Sequence, residues 1–114
     1  MPTPPPLTPD QRAAAAAKAV RARAVRAHLR RDLTAGRLTL AGAFDLAAGD
    51  DEAATAVASM RVTVLLESLP GVGERGVDHA VTALAIPVGR RVRGLGASQR
   101  AALIARFGPP GTAR

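Results

Sequence analysis

A cysteine-free chain of 114 residues with a formal charge of +7 has room for one ordinary domain and excludes disulfide frameworks and thiolate metal sites. Nearly half of it is apolar, yet Phe44 and Phe107 are the only aromatic residues, so its core must come from Ala, Val and Leu, which suits closely packed helices better than a β-sandwich. The polar, Pro-rich stretch Met1–Leu7 has no apolar run of the length a signal peptide or membrane span needs, and the expected setting is the cytoplasm.

Residues 1–7 read as a flexible leader. Thr8-Pro9-Asp10-Gln11 is a helix start: Thr8 offers the cap oxygen, Pro9 fits the first helical position, Asp10 suits the positive dipole end, and Gln11 completes a capping box. A long basic helix over 8–35 follows, with Gly36 as its stop. Its first half, Ala13–Ala22, has almost no large apolar residue; alanine propensity alone holds it, so it should project from the body or fray. The second half gains an apolar stripe of Ala22, Val25, Leu29 and Leu33. Arg23, Arg26 and Arg30 lie on a neighbouring face, which suits either a second contact along a DNA backbone or a plainly solvated surface.

Thr39 is placed to cap a short helix from Leu40 to about Ala48, with Leu40, Ala43, Phe44 and Ala47 inward. Gly49-Asp50-Asp51-Glu52 breaks it. These acids are consecutive, whereas paired catalytic carboxylates need convergent, partly desolvated positions, so they read as the cap of a further turn. Met60–Leu69 is the next expected helix, with Val62, Leu65, Leu66 and Leu69 inward. No internal repeat and no useful strand alternation is present.

Leu69-Pro-Gly-Val-Gly73 is a turn between two helices, the second beginning near Gly73 and packing through Val77, Ala80, Val81 and Leu84. Glycines let the main chain approach a partner closely, and turn N–H groups beside a helix N-terminus suit a phosphate without reading sequence. Gly71, Gly73 and Gly76 formally spell a nucleotide-binding fingerprint, but the segment before them has a helical pattern where that motif requires a strand.

Pro87 is expected to end this helix. Arg90, Arg91 and Arg93 then crowd a segment closed by Gly94 and Gly96, with no acid expected nearby, and Ala97 or Ser98 opens a last helix packed through Leu103, Ile104 and Phe107. Three guanidinium groups at this spacing repel one another until an anion relieves them. Charge is segregated along the chain: residues 1–40 carry eight bases and two acids, 41–85 two bases and seven acids, and 86–114 six bases and no acid. Two basic segments converging on a polyanion would look like this. The preference for Arg over Lys suits bidentate phosphate contacts, and equally an Ala-rich composition from a GC-rich genome. His28 and His79 lack ligand spacing to any carboxylate, so no metal site is expected, and no Ser/His/Asp arrangement supports an enzyme. His79, four residues after Arg75, falls on the outer helix face.

Three segments, Thr8-Pro-Asp-Gln-Arg12, Leu65-Leu-Glu-Ser-Leu-Pro-Gly-Val-Gly73 and Arg90-Arg-Val-Arg-Gly-Leu-Gly-Ala-Ser-Gln-Arg100, resemble the actinobacterial type of integration host factor in order and spacing. The resemblance spans the first helix to the last. It implies an all-α fold, a long N-terminal helix followed by a compact helical domain with a helix–two-turn–helix module, here a single helical DNA-binding domain over 8–108 with its core at 60–108 and a disordered tail at 109–114. It also implies a non-enzymatic, nucleoid-associated protein that binds duplex DNA with little sequence preference, bends or compacts it, and assists phage integration. The expected site comprises Arg90, Arg91, Arg93, Gly94, Gly96 and Arg100, with Gly71, Val72, Gly73 and Arg75 as a second turn beside the arginines. The expected partners are duplex DNA and a phage integrase–DNA complex, with a monomeric protein, no cofactor, no membrane and no small-molecule substrate. The chain departs from the family in carrying Glu74 where a basic residue is usual and Val77 where a small one is, and Gly76 weakens the helix start by about 1 kcal/mol relative to Ala. An RNA-binding protein using a ribosomal-protein-like two-turn module is the alternative, weakened by the lack of Tyr and Trp for base stacking.

Overall fold

A computed structural model describes residues 5–108; the expected tail at 109–114 and the first four leader residues lie outside them. The fold is all-α. Helix α1 spans Pro9–Thr34, α2 Leu40–Ala47, α3 Glu52–Ala58, α4 Val62–Glu67, α5 Glu74–Ala83 and α6 Ala97–Arg106, with a single 3₁₀ turn at Val92–Gly94 before α6. No strand forms among the described residues.

Helix α1 begins on the capping box: the Thr8 hydroxyl accepts the Gln11 N–H at 3.1 Å, and the Gln11 side chain accepts the Thr8 N–H at 2.9 Å. It ends at Gly36, where the Arg37 N–H returns to the Asp32 carbonyl at 2.9 Å. Every residue from Pro9 to Arg21 is exposed, and only Leu29 and Leu33 are fully buried. The helix therefore projects, and the molecule reaches 56 Å along its long axis against 24 Å along its short one. One exposed ion pair, Arg21 with Glu52 at 2.6 Å, ties the projecting half to the start of α3, and this hydrogen bond holds the Glu52 carboxyl below its ordinary range.

Helices α2 and α3 start on their own side chains, with the Thr39 hydroxyl accepting Gly42 N–H at 3.0 Å and the Asp51 carboxylate accepting Ala54 N–H at 2.7 Å. The acidic run is thus a helix start, and it opens a complete helix rather than a further turn. That helix packs on both α1 and α2 through Ala54 and Val57.

The helix expected over Met60–Leu69 is shorter and begins at Val62. Met60 and Arg61 are instead extended against Arg91, because the Val62 N–H is donated to the Arg90 carbonyl and the Val92 N–H to the Met60 carbonyl, each at 2.9 Å. At the other end of α4 the buried Ser68 is held from two sides: its hydroxyl donates to the Val64 carbonyl at 3.0 Å and accepts from Arg30 at 3.2 Å. The Thr34 hydroxyl also donates to the Ser68 carbonyl at 2.7 Å. Around α4 the core closes through Leu33, Leu40, Leu65, Leu66, Val77 and Leu103. Val77 is accommodated within this core at 1% exposure.

Pro87 does not end α5. The helix stops at Ala83, followed by Ala85 with φ of +54°, where the Ile86 N–H returns to the Val81 carbonyl at 2.8 Å. This is the same Schellman closure that Gly36 gives α1, made here by a residue with a side chain.

Candidate nucleic-acid interface

The Arg90–Gly96 run is an anchored loop. Val92 and Leu95 are buried, and the two backbone bonds from Arg90 and Val92 fasten the segment to the start of α4. Its arginines divide by role. The Arg91 guanidinium donates to the Ser59 carbonyl, and that of Arg90 folds over Gly94 and donates to its carbonyl at 2.8 Å. Gly94 leaves room for this: a Cβ there would meet the Arg90 side chain at 2.7 Å. Arg93, on the exposed 3₁₀ turn, has no hydrogen-bond or ion-pair partner among the described residues. Arg100, half-buried in α6, donates to the Leu95 carbonyl at 3.0 Å. Arg93 and Arg100 line one depression of about 460 Å³, together with Asp45 of α2.

Asp45 corrects the expectation of an acid-free surrounding. It is distant in sequence from the arginines, and only the packing of α2 against α6 and the 3₁₀ turn brings it beside them. No local pattern marks it.

Gly96 caps α6 without a side chain, so the first-turn N–H groups of that helix receive no side-chain acceptor; its own N–H donates to the Gln99 side chain at 3.1 Å. Helix α5 starts in the same way on Gly73. Both therefore present free N–H donors at the positive end of a helix dipole, whereas α1, α2 and α3 satisfy theirs with Thr8, Thr39 and Asp51.

The glycine turn is placed differently from expectation. Gly71 has φ of +74°, a conformation that favours glycine, and is exposed together with Gly73, while Val72 packs against the core. But the turn leaves the C-terminal end of α4, and the arginine loop is fastened to its N-terminal end. The six residues of α4, about 9 Å of helix, stand between them. Glu74, exposed in the first turn of α5, puts a carboxylate at the same helix end as the free donors. Arg75 and His79 lie exposed on the outer face of α5, in a shallow depression that also holds Asp78.

On α1 the three arginines are not an open stripe. Arg26 donates to the Ala56 carbonyl at 3.1 Å and Arg30 to the Ser68 hydroxyl at 3.2 Å, pinning α1 to the ends of α3 and α4. Arg23 and Arg30 are both exposed, and Arg23 alone of the three makes no such contact among the described residues.

Residues 36–107 match the domain family described as S13-like H2TH. The chain is 42% identical over 108 residues to an integration host factor of Streptomyces coelicolor, covering 95% of this chain and 97% of that protein. It belongs to the actinobacterial integration host factor family. A second relative, the integration host factor of Mycobacterium tuberculosis, is 42% identical over 104 residues, covering 91% of this chain and 95% of its own length. The fold also matches a solved structure of sIHF bound to an 8-base-pair palindromic DNA, with a TM-score of 0.73 and 36% identity over 80% of this chain and 98% of that one. Family membership accounts for the long first helix and the two-turn module. No helix among the described residues is long and apolar enough to cross a membrane.

Proposed function

We propose that this protein is a non-enzymatic, nucleoid-associated factor that binds duplex DNA through phosphate contacts with low sequence specificity. The observation that carries the reading is the anchored Arg90–Gly96 loop: Arg93 is exposed and unpartnered among the described residues, it lies beside Arg100 in one depression, and the loop runs directly into the uncapped start of α6. Its kinship to a protein solved with DNA supports duplex DNA as the partner. Arg90 and Arg91 contribute mainly by holding the loop's shape, and Gly94, Gly96 and Arg100 complete this face. Gly71, Val72, Gly73 and Arg75 form a second, weaker contact, and Arg23 heads a third along α1, with Arg26 and Arg30 behind it. Contacts at separated surfaces would bend or compact DNA and so assist site-specific recombination in a phage integrase–DNA complex, by a monomer acting in the cytoplasm on the nucleoid. Neither a cofactor nor a small-molecule substrate enters this reading.

The S13-like description of the domain favours one other reading, binding of duplex RNA. A salt titration against random-sequence duplex DNA and duplex RNA separates the two. DNA affinity should fall by about 0.9 log unit per log unit of salt for each phosphate neutralised, and replacing Arg90, Arg91 and Arg93 together by Ala should lower that slope by at least the ~0.9 that Arg93 supplies, and by up to ~3 where Arg90 and Arg91 also turn to phosphates on binding. An unchanged slope would remove the arginine loop from the site, and a preference for RNA would replace the function.

A further inference from the structure

An apolar groove of about 670 Å³ runs between α1, α2 and α3, on residues that the nucleic-acid face does not use apart from Asp45. Its floor is Val25, Leu29, Leu38 and Val57, and Leu46, half-exposed, stands at its edge. Its charge runs against the rest of the molecule. In a chain of net charge +7, the groove is lined by Asp32, Asp45 and Asp51 with no Lys or Arg among its residues. Two of the acids already have partners: Asp32 bonds Arg37 at 2.9 Å and His28 at 3.2 Å, and Asp51 caps α3. Asp45 carries no ion pair among the described residues.

We infer that this groove docks an amphipathic basic helix of a partner protein, with large apolar side chains on the floor and Lys or Arg toward the aspartates. Charge complementarity selects the occupant: a basic helix gains from the rim, whereas an acidic one meets like charge. The chain's own free helix, the first half of α1, is basic but offers only Val20 as a large exposed apolar side chain, too little to cover the four apolar floor residues. A small ligand is disfavoured because no buried side-chain polar atom lacks a partner among the described residues, so the groove offers no desolvated polar group to orient one. Because the groove and the arginine loop are largely separate, a protein partner and a nucleic acid can be held together.

The inference stands apart from the nucleic-acid reading and is tested separately. A display library of random ~16-residue peptides, long enough for about four helical turns, is panned on the full chain. Winning peptides should share large apolar residues at i, i+3 or i+4, and i+7 with Lys or Arg between them. A synthesised winner should lose about tenfold in affinity against Leu46→Glu and against Ala24→Arg, both exposed positions on the groove. Thermal melts of both variants confirm folding, and either one suffices if the other fails. Enrichment of acidic or aperiodic peptides, no enrichment, or binding unchanged in both variants overturns the inference. Self-association of the chain that Leu46→Glu abolishes overturns it in favour of a second copy.

Discussion

Helices α5 and α6 start alike and are dressed differently. Each begins on a glycine with extended backbone, Gly73 with φ of −92° and Gly96 with φ of −73°, and each leaves its first N–H groups without a side-chain acceptor. The segment before α6 carries Arg90, Arg91 and Arg93 and the helix itself Arg100, with Asp45 of α2 beside Arg93 and Arg100. The first turn of α5 carries Glu74 next to Arg75, with Asp78 and His79 one turn on. Backbone geometry makes both helix starts competent to hold a phosphate; side-chain charge assigns most of the binding to one of them. A helix–two-turn–helix module thus need not bind symmetrically, and in this chain the balance lies with the arginine loop.

Giving each helix its missing cap separates the two starts most directly. Gly96→Asp suits the existing backbone, and a Cβ there meets nothing closer than 3.8 Å. It should stabilise the fold by a few tenths of a kcal/mol while lowering affinity for duplex DNA about tenfold, since the new carboxylate both consumes the donors and opposes phosphate. Gly73→Asp, where a Cβ meets nothing within 4 Å, should raise the melting temperature similarly and lower affinity far less. Equal losses at the two positions would mean the halves contribute equally.

Arg93→Ala comes next. It should lower the salt slope by about 0.9 and leave the thermal midpoint unchanged, because Arg93 holds nothing in the fold. Arg91→Ala should instead lower the midpoint through loss of the Ser59 contact. Glu74→Gln should strengthen duplex binding two- to threefold, roughly 0.5 kcal/mol of relieved repulsion at an exposed site, measured by anisotropy at low salt. The smallest effect on binding belongs to Ala85→Gly. Relief of the left-handed alanine should stabilise α5 by up to about 1 kcal/mol and leave affinity unchanged. If affinity rose with it, fraying of α5 rather than Glu74 would explain the weaker half.

What could be read from the sequence was local. Thr8, Thr39 and Asp51 announce their helices because a cap bonds a donor three residues away. The inward faces of α2, α4 and α5 follow from spacing for the same reason. Where sequence reading failed, the deciding partner was remote, except at the close of α5. The start of α4 is set by Arg90 and Val92, about thirty residues on, which draw Met60 and Arg61 out of the helix. The close of α5 falls before Pro87 because Ala85 accepts a conformation that propensity assigns to glycine. Arg26 and Arg30 share a face with Arg23 by periodicity, yet packing against α3 and α4 enlists them for structure. Asp45 and the separation of glycine turn from arginine loop by the length of α4 are tertiary facts with no local signature.

The pairing of Met60–Val62 with Arg90–Val92 has a consequence for how quickly the protein engages its partner. A basic loop that had to order itself on contact would lose entropy at each encounter and bind slowly. This one is already set, by main-chain bonds that any residue at those positions except proline could make, and by two buried side chains beneath it. The amides of Val62 and Val92 should therefore exchange with solvent only on global unfolding. Association should run near the rate that charge steering allows, with a small heat-capacity change.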